Sequence, residues 1–352
     1  MKRIVFGAND MGGILAIAPV IKKMRKARWK VLLLCAGPAI EVARKQHIPY
    51  VSADHMSLRT LEKKVIAFKP DSICTGTSHG LTVERYLFRI ARDNGIPIIA
   101  IIDAWINYKF RFGIRKDEAV YADKLPDYVL VMDERAKKEM IREGFPPHRI
   151  VVTGNPYFET LKQYPLPAKK NQHTILFIDE RIFEFEKKGT HQDMAYNEIE
   201  VFRDIVDALT TIRWNGILVL KLHPGSHDMT RFDEIIKKST LRIKKMFTGT
   251  LYDALRASGL VIGMMSAVLF EAALGGKMVV SYQPNLKKEQ DALVTNQIGL
   301  SHAVYQKKDL LPMLKKVLLL KQREGRYAQN IRQYTKSNAT NNVIRFIKNL
   351  TQ

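Results

Sequence analysis

Short apolar runs alternate with amphipathic stretches along the whole chain, and the alternation carries the two periods of strands and helices. Apolar runs over residues 4–6, 30–35, 50–52, 72–75, 96–102, 128–131 and 150–152 predict strands. Residues 12–26, 39–46, 58–68, 83–94 and 134–143, lying between them, carry apolar positions at helical spacing. Strands that are apolar on both faces and separated by helices assemble as parallel, doubly wound sheets. The pattern lapses between residues 157 and 172, where Tyr164-Pro-Leu-Pro-Ala-Lys-Lys-Asn171 reads as a linker. It resumes with strands over 174–178, 217–222, 260–262 and 278–281 and helices over 196–211, 251–257 and 269–274. Two helices, over 309–322 and 326–350, close the chain. The expectation is an α/β protein of two domains, 1–160 and 161–352, facing a cleft, with the terminal helices packing back across it.

The stretch from Val261 to Ser281 is the most informative for function. It predicts a short strand, a tight Gly263-Met-Met-Ser266 turn, a helix opening at Ser266 and a second strand. A strand that ends on a small residue and feeds a helix leaves backbone N–H groups without intrahelical partners. Those donors make a seat for phosphate, with Met265, Ser266 and Ala267 around it. Glu271 falls a turn and a half later, where a carboxylate suits the paired hydroxyls of a ribose. A capped turn with a solvated glutamate is the other reading of the same residues, because Ser caps helices of every kind.

Three further groups sit at strand ends, where open α/β sheets place ligands. The stretch Asp103-Ala-Trp-Ile-Asn-Tyr-Lys-Phe-Arg111 gathers a carboxylate, an amide, cations and aromatic rings after a buried strand. Asp103 is the candidate general base, with Asn107 nearby and Arg111 as a fork for an oxyanion. His223, followed by Pro224 and Gly225, ends another strand and could donate a hydrogen bond to a departing diphosphate. Ser78 and His79, leading to Glu84, form a softer acceptor-side group. Gly154 and Asn155 read as the turn between the domains. No metal-ligand spacing is present, so no metal is expected.

Composition adds the partner. With 57 basic against 35 acidic residues the chain carries a net charge of +22, which favours polyanions. Lys22-Lys-Met-Arg-Lys-Ala-Arg-Trp-Lys30 concentrates six cations around Trp29, a pattern suited to an anionic membrane surface or simply to a solubilising face. No helix-turn-helix, RNP or zinc pattern accompanies it, so no specific nucleic-acid partner is expected. The 46% apolar content fits full cores, and no apolar run is long enough to span a bilayer. The start, Met1-Lys-Arg-Ile-Val-Phe-Gly7, enters a strand without a signal-peptide pattern. Cys35 and Cys74 end predicted strands and read as small apolar residues. The expected location is the cytoplasm, peripherally at the inner face of the plasma membrane.

In their order these motifs resemble the GT-B glycosyltransferase superfamily, near UDP-N-acetylglucosamine 2-epimerase, MurG-like transferases and capsule or teichoic acid transferases. Gly7-Ala-Asn-Asp-Met-Gly12-Gly13, running on to Ala18-Pro19, is similar to their opening glycine loop and helix. Val151-Val-Thr-Gly154-Asn155-Pro-Tyr157 is similar to their turn after the last strand of the first domain. Lys221-Leu-His223-Pro224-Gly225 is similar to their His-Pro turn, and the Ser266/Glu271 stretch to their donor-binding region. The resemblance implies two Rossmann-like domains, the first binding an acceptor and the second a nucleotide-sugar donor, with UDP as the expected nucleotide. It implies donor contacts at Gly154, Asn155, His223, Pro224, Gly225, Met265, Ser266, Ala267 and Glu271. Acceptor or phosphate contacts fall at Gly12, Gly13, Ser78, Glu84, Asn107 and Arg111, and catalytic roles at Asp103, His223 and His79.

The chain departs from the epimerases in two places. Cys74-Thr-Gly-Thr-Ser78 lacks the aspartate of their Gly-Asp-Thr turn, and Met265-Ser-Ala-Val-Leu-Phe-Glu271 lacks a glycine pair and one acid. The expected activity is therefore inverting, metal-independent transfer of a sugar from a nucleotide-sugar to a glycan or lipid-linked acceptor in surface polysaccharide assembly. The alternatives are an epimerase-like hydrolase of nucleotide sugars, a CDP-glycerol-type phosphotransferase, and a catalytically inactive subunit.

Overall fold

A computed structural model describes residues 2–162, 173–183, 195–223, 226, 228–246, 251–319, 334 and 338–351. The Pro-containing stretch over residues 164–171, and Pro224 and Gly225, lie outside the described residues. The chain divides into two compact units, Met1–Thr160 with Lys336–Gln352, and Leu161–Thr335.

The first unit is built on seven parallel strands: β1 (Arg3–Ala8), β2 (Lys30–Cys35), β3 (Val51–Ser52), β4 (Ser72–Thr75), β5 (Ile98–Ile101), β6 (Tyr128–Val131) and β7 (Ile150–Val152). Their order across the sheet is β3-β2-β1-β4-β5-β6-β7. The order reverses between β1 and β4, which pair in register from Ile4↔Ser72 to Gly7↔Thr75. At such a reversal the loops leave the carboxyl edge in opposite directions and open a crevice. Burial is deepest at the centre of the sheet, where β4 and β5 are buried completely, because helices cover both faces.

The second unit repeats the plan with six parallel strands: β8 (Thr174–Ile178), β9 (Ile217–Lys221), β10 (Arg242–Met246), β11 (Leu260–Gly263), β12 (Met278–Tyr282) and β13 (His302–Val304). Their order is β10-β9-β8-β11-β12-β13, reversing between β8 and β11. Strands β10 and β13 escape the sequence pattern. The first, Arg-Ile-Lys-Lys-Met, carries three cations, Arg242 and Lys244 exposed and Lys245 half-buried, as suits the edge of a sheet. The second is only three residues long.

One expectation is corrected by the chain's end. The second domain was expected to run to residue 352, but the final helix, Ala339–Leu350, belongs to the first unit. Val343 and Ile347 are buried in its core with Ile14, Ile17 and Ile21 of the helix Met11–Lys26. Thr340 fixes the approach, its N–H and hydroxyl both donating to Glu159 at 3.1 and 2.6 Å. The preceding helix covers Lys307–Leu319, and most of the stretch expected to start the final helix at residue 326 is outside the described residues. No described helix is long and apolar enough to cross a membrane.

Candidate active site

In the first unit the chemistry collects where the strand order reverses. Asp10 follows β1 and caps the helix Met11–Lys26, its Oδ1 accepting the Gly13 N–H at 2.7 Å. Gly13 and Gly76 allow that helix to press on the end of β4: a Cβ on Gly76 would lie 2.5 Å from the Gly13 Cα. Gly12 meets Asp103, which arrives from the end of β5; a Cβ on Gly12 would collide with its Oδ2. The other Asp103 oxygen, Oδ1, is ion-paired with Nη1 of buried Arg111. Arg111 also donates to Thr77 Oγ1 at 3.0 Å and to the Ile106 carbonyl at 3.2 Å.

Glu84 completes the group from the helix Val83–Asp93, only 1% exposed. Its Oε1 accepts the Asn9 N–H at 2.8 Å and the Ser78 hydroxyl at 2.9 Å. Burial pushes the Glu84 carboxyl above the ordinary range, against the pull of those hydrogen bonds. Asp10 is pushed up to about 6, first by burial and then by the Asp103 charge, with Glu84 adding and the Gly13 N–H and Arg111 opposing. His79 is exposed and lies against Phe110, ring centroids 6.4 Å apart. Its imidazole is pushed down, by burial first and then by Arg111.

The structure thus brings Gly12, Gly13, Ser78, Glu84, Asp103 and Arg111 together, with His79 at the rim. Asn107 stays outside: it is exposed and in the left-handed region at φ 59°, where it turns the chain into the helix Tyr108–Arg111. Trp105 packs inward, stacked on Phe158 and donating to Asp133 Oδ2 at 2.9 Å. Gly154 takes φ 85°. Asn155 is buried, its Oδ1 accepting the Tyr157 N–H at 2.9 Å, which caps the helix Pro156–Lys162. Asn155 therefore shapes the turn.

The second unit places the Gly263–Ser266 turn at the equivalent reversal. The N–H groups of Met264, Met265 and Ser266 converge as the sequence predicts, but on a carboxylate of the chain itself. Oε1 of Glu180, at the end of β8, accepts all three, at 3.1, 2.9 and 3.0 Å. Burial pushes Glu180 up to about 7, the three N–H groups pulling the other way and Asp179 adding to the rise. Ser281 ties the turn from its other side, its hydroxyl donating to the Met264 carbonyl at 2.7 Å. The helix begins at Val268, two residues later than expected, with the Ser266 hydroxyl accepting the Val268 N–H at 3.2 Å. Ala267 immediately precedes it, and Glu271 is half-buried within it. His223 is exposed beside Glu180's neighbour: its backbone N–H donates to Asp179 Oδ2 at 2.8 Å. Asp179 is itself ion-paired with buried Arg231.

Three participants escaped the sequence reading. Asp10 had a visible signal, an aspartate three residues before Gly13 at a helix start. Glu180 and Asp179 directly follow a predicted strand, but their partners are known only once β8 is placed beside β11.

A model of the family described as UDP-N-acetylglucosamine 2-epimerase matches residues 119–348. The chain belongs to the UDP-N-acetylglucosamine 2-epimerase family.

Solved structures agree on the fold. The UDP-GlcNAc 2-epimerase of Methanocaldococcus jannaschii is 15% identical, with TM-score 0.71 over 99% of this chain and 100% of that one. The enzyme of Neisseria meningitidis, solved bound to UDP-GlcNAc, is 13% identical, with TM-score 0.73 over 99% and 100%. MurG of Acinetobacter baumannii is 16% identical, with TM-score 0.59 over 99% and 100%. No protein of curated function matches. The family member described here has the GT-B architecture of two Rossmann-like units.

Proposed function

We infer that the protein acts on a nucleoside-diphosphate sugar, with UDP as the nucleotide, and inverts or hydrolyses it at the C1–C2 end without an acceptor. Family membership supports the substrate class. The observation that carries the chemistry is the group of three carboxylates and one arginine at the reversal of the first sheet. A hydrogen on C2 of a sugar has no neighbouring carbonyl to acidify it. It becomes removable when the diphosphate leaves C1 as a carboxylate takes the proton. Return of a proton to the other face of C2, with the diphosphate re-adding at C1, gives the epimer; addition of water at C1 in its place gives free sugar. The departures from the epimerase motifs argue against this reading less than the sequence implied. The aspartate absent after β4 has counterparts in Asp10 and Asp103, which come to the same crevice from the loops after β1 and β5.

In the second unit a diphosphate would take over the N–H groups now held by Glu180, and Glu271 would accept from the ribose. A transferase differs in one respect, its need for an acceptor. The test is incubation with UDP-N-acetylglucosamine in deuterated water, without acceptor, followed by NMR and UDP release. Deuterium at C2 or free sugar supports the reading. Product that forms only when a glycan or lipid-linked acceptor is added replaces it by transfer, and release of CMP from CDP-glycerol replaces it by phosphotransfer. No nucleotide binding at all would mark an inactive subunit. We further propose that the Lys22–Lys30 face docks electrostatically on an anionic membrane.

A further inference from the structure

We propose that Asp10, not Asp103, is the carboxylate that takes and returns the proton in the first unit, and that Asp103 is a fixed carboxylate positioning Arg111 and the glycine turn. The inference rests on the nucleotide-sugar reading and assigns its acid–base residue.

What holds each carboxylate separates the three candidates. Glu84 is buried to 1%, and its Oε1 is occupied by the Asn9 N–H and the Ser78 hydroxyl; it cannot meet a substrate. Asp103 has Oδ1 in the ion pair with Arg111, which is anchored in turn by Thr77 and the Ile106 carbonyl. Its Oδ2 is pressed against Gly12. A carboxylate ion-paired with a buried and anchored arginine is well placed to orient its surroundings and, while that pair holds, poorly placed to exchange a proton. Asp10 uses only Oδ1, on the Gly13 N–H. Its Oδ2 has no hydrogen-bond partner among the described residues, and the side chain is only half-buried.

The charges facing Asp10 come from every element around it: Asp103 after β5, Glu84 on the helix Val83–Asp93, and Arg111 on Tyr108–Arg111. With burial they bring its affinity for a proton to about 6, within reach of neutral pH, where acid–base catalysis is most effective. Neighbouring carboxylates whose environments differ in this way divide the labour between them. In the step, the C2–H bond breaks and an O–H bond forms at Asp10 Oδ2. The C–H electron pair becomes the C1–C2 double bond, and the diphosphate departs with the C1–O pair. In the reverse step the diphosphate oxygen re-adds at C1 as the proton returns from Asp10 to C2, which exchanges the C2 hydrogen; addition to the opposite face gives the epimer.

The experiment combines pH–rate profiles of C2 deuterium exchange in UDP-N-acetylglucosamine with carboxyl carbon NMR titration of the unliganded protein. Wild type is expected to lose rate as pH falls through about 6. Asp10→Asn should lower exchange by ~10²–10⁴-fold and abolish that limb. Asp103→Asn should also be slow, but should keep the limb, moved to lower pH because one negative neighbour is gone. In the NMR titration the Asp10 carbon should show the same move in Asp103→Asn. Near-normal exchange in a folded Asp10→Asn protein, or a limb that vanishes only in Asp103→Asn, overturns the assignment and leaves the functional reading standing. Absence of both exchange and UDP release in wild type overturns the functional reading and this step with it.

Discussion

Glu180 reaches from the end of β8 to the turn after β11 and accepts the Ser266 N–H at 3.0 Å, together with those of Met264 and Met265. A carboxylate of the chain itself therefore already sits where the turn's donors point. Any phosphate that uses these donors competes with an ionised Glu180 and is admitted most easily when Glu180 is neutral.

The pH dependence of nucleotide binding follows from that competition. Burial holds Glu180 at about 7, so the competing charge grows as pH rises above that value and fades below it. The apparent Kd for UDP, measured by calorimetry, is expected to weaken by up to about tenfold per pH unit above 7 and to flatten below. Glu180→Gln should bind more tightly at pH 8.5 and lose most of the slope. A pH-independent Kd in wild type between 7 and 9 would show that the phosphate does not use this turn.

The same pair shows how far the sequence could be read. The strand, turn and helix around Ser266 were legible because apolar runs, small residues and capping hydroxyls are local signals. The converging N–H groups followed from them. What fills the turn was not legible, since Glu180 is far away in sequence and meets it only through the pairing of β8 with β11. The first unit repeats the lesson. Asp103 and Arg111, eight residues apart, were found together, whereas Asp10 joins them only when β1, β4 and β5 are neighbours. The return of the final helix to the first unit had no local signal either: its amphipathic face at Val343 and Ile347 fits any apolar partner.

Gly12 offers a test of the site without touching a charged group. Its backbone is helical, so alanine there is tolerated locally and would ordinarily stabilise the helix by about 0.5–1 kcal/mol. The added methyl collides with Asp103 Oδ2 and must push the carboxylate off Arg111. We expect Gly12→Ala to fold but to lose about 1–3 kcal/mol of stability, and to lose at least tenfold in kcat with little change in nucleotide affinity. Full activity would mean that Asp103's position is not needed.

Asp10 is expected to cost stability. Its proton affinity in the folded chain is raised from 3.8 to about 6. The sign follows directly: the folded state holds the proton more tightly, so this contribution is complete below about pH 4 and is lost as pH rises through 6. The full rise corresponds to at most about 3 kcal/mol, less because the side chain keeps contact with water. Asparagine preserves the cap on Gly13 without the charge. Asp10→Asn should therefore be about 1–2 kcal/mol more stable than wild type at pH 8 and equal to it near pH 4, by urea denaturation. Equal stability at both pH values would remove the electrostatic strain ascribed to this group.

The basic face after the first helix makes the last test. Lys23, Lys26, Arg28 and Lys30 are exposed, while Lys22 Nζ donates to Gln46 at 2.9 Å and Arg25 to the Pro49 carbonyl at 2.9 Å. Trp29, expected to anchor in a membrane interface, instead packs against the first core, with Lys2 Nζ 5.7 Å from its ring. Attraction to a bilayer must then be electrostatic, at roughly 1 kcal/mol for each exposed cation. Its reach shrinks to about 8 Å at physiological ionic strength. Sedimentation with phosphatidylglycerol vesicles is expected at low salt and not with phosphatidylcholine, and about 0.5 M salt should release the protein. Tryptophan emission should not shift on binding, because Trp29 stays packed against the core. Replacing Lys23, Lys26, Arg28 and Lys30 with glutamine should lower vesicle affinity by at least about a hundredfold and leave UDP binding unchanged. Binding that survives this change, or none at low salt, would reduce the face to a solubilising surface.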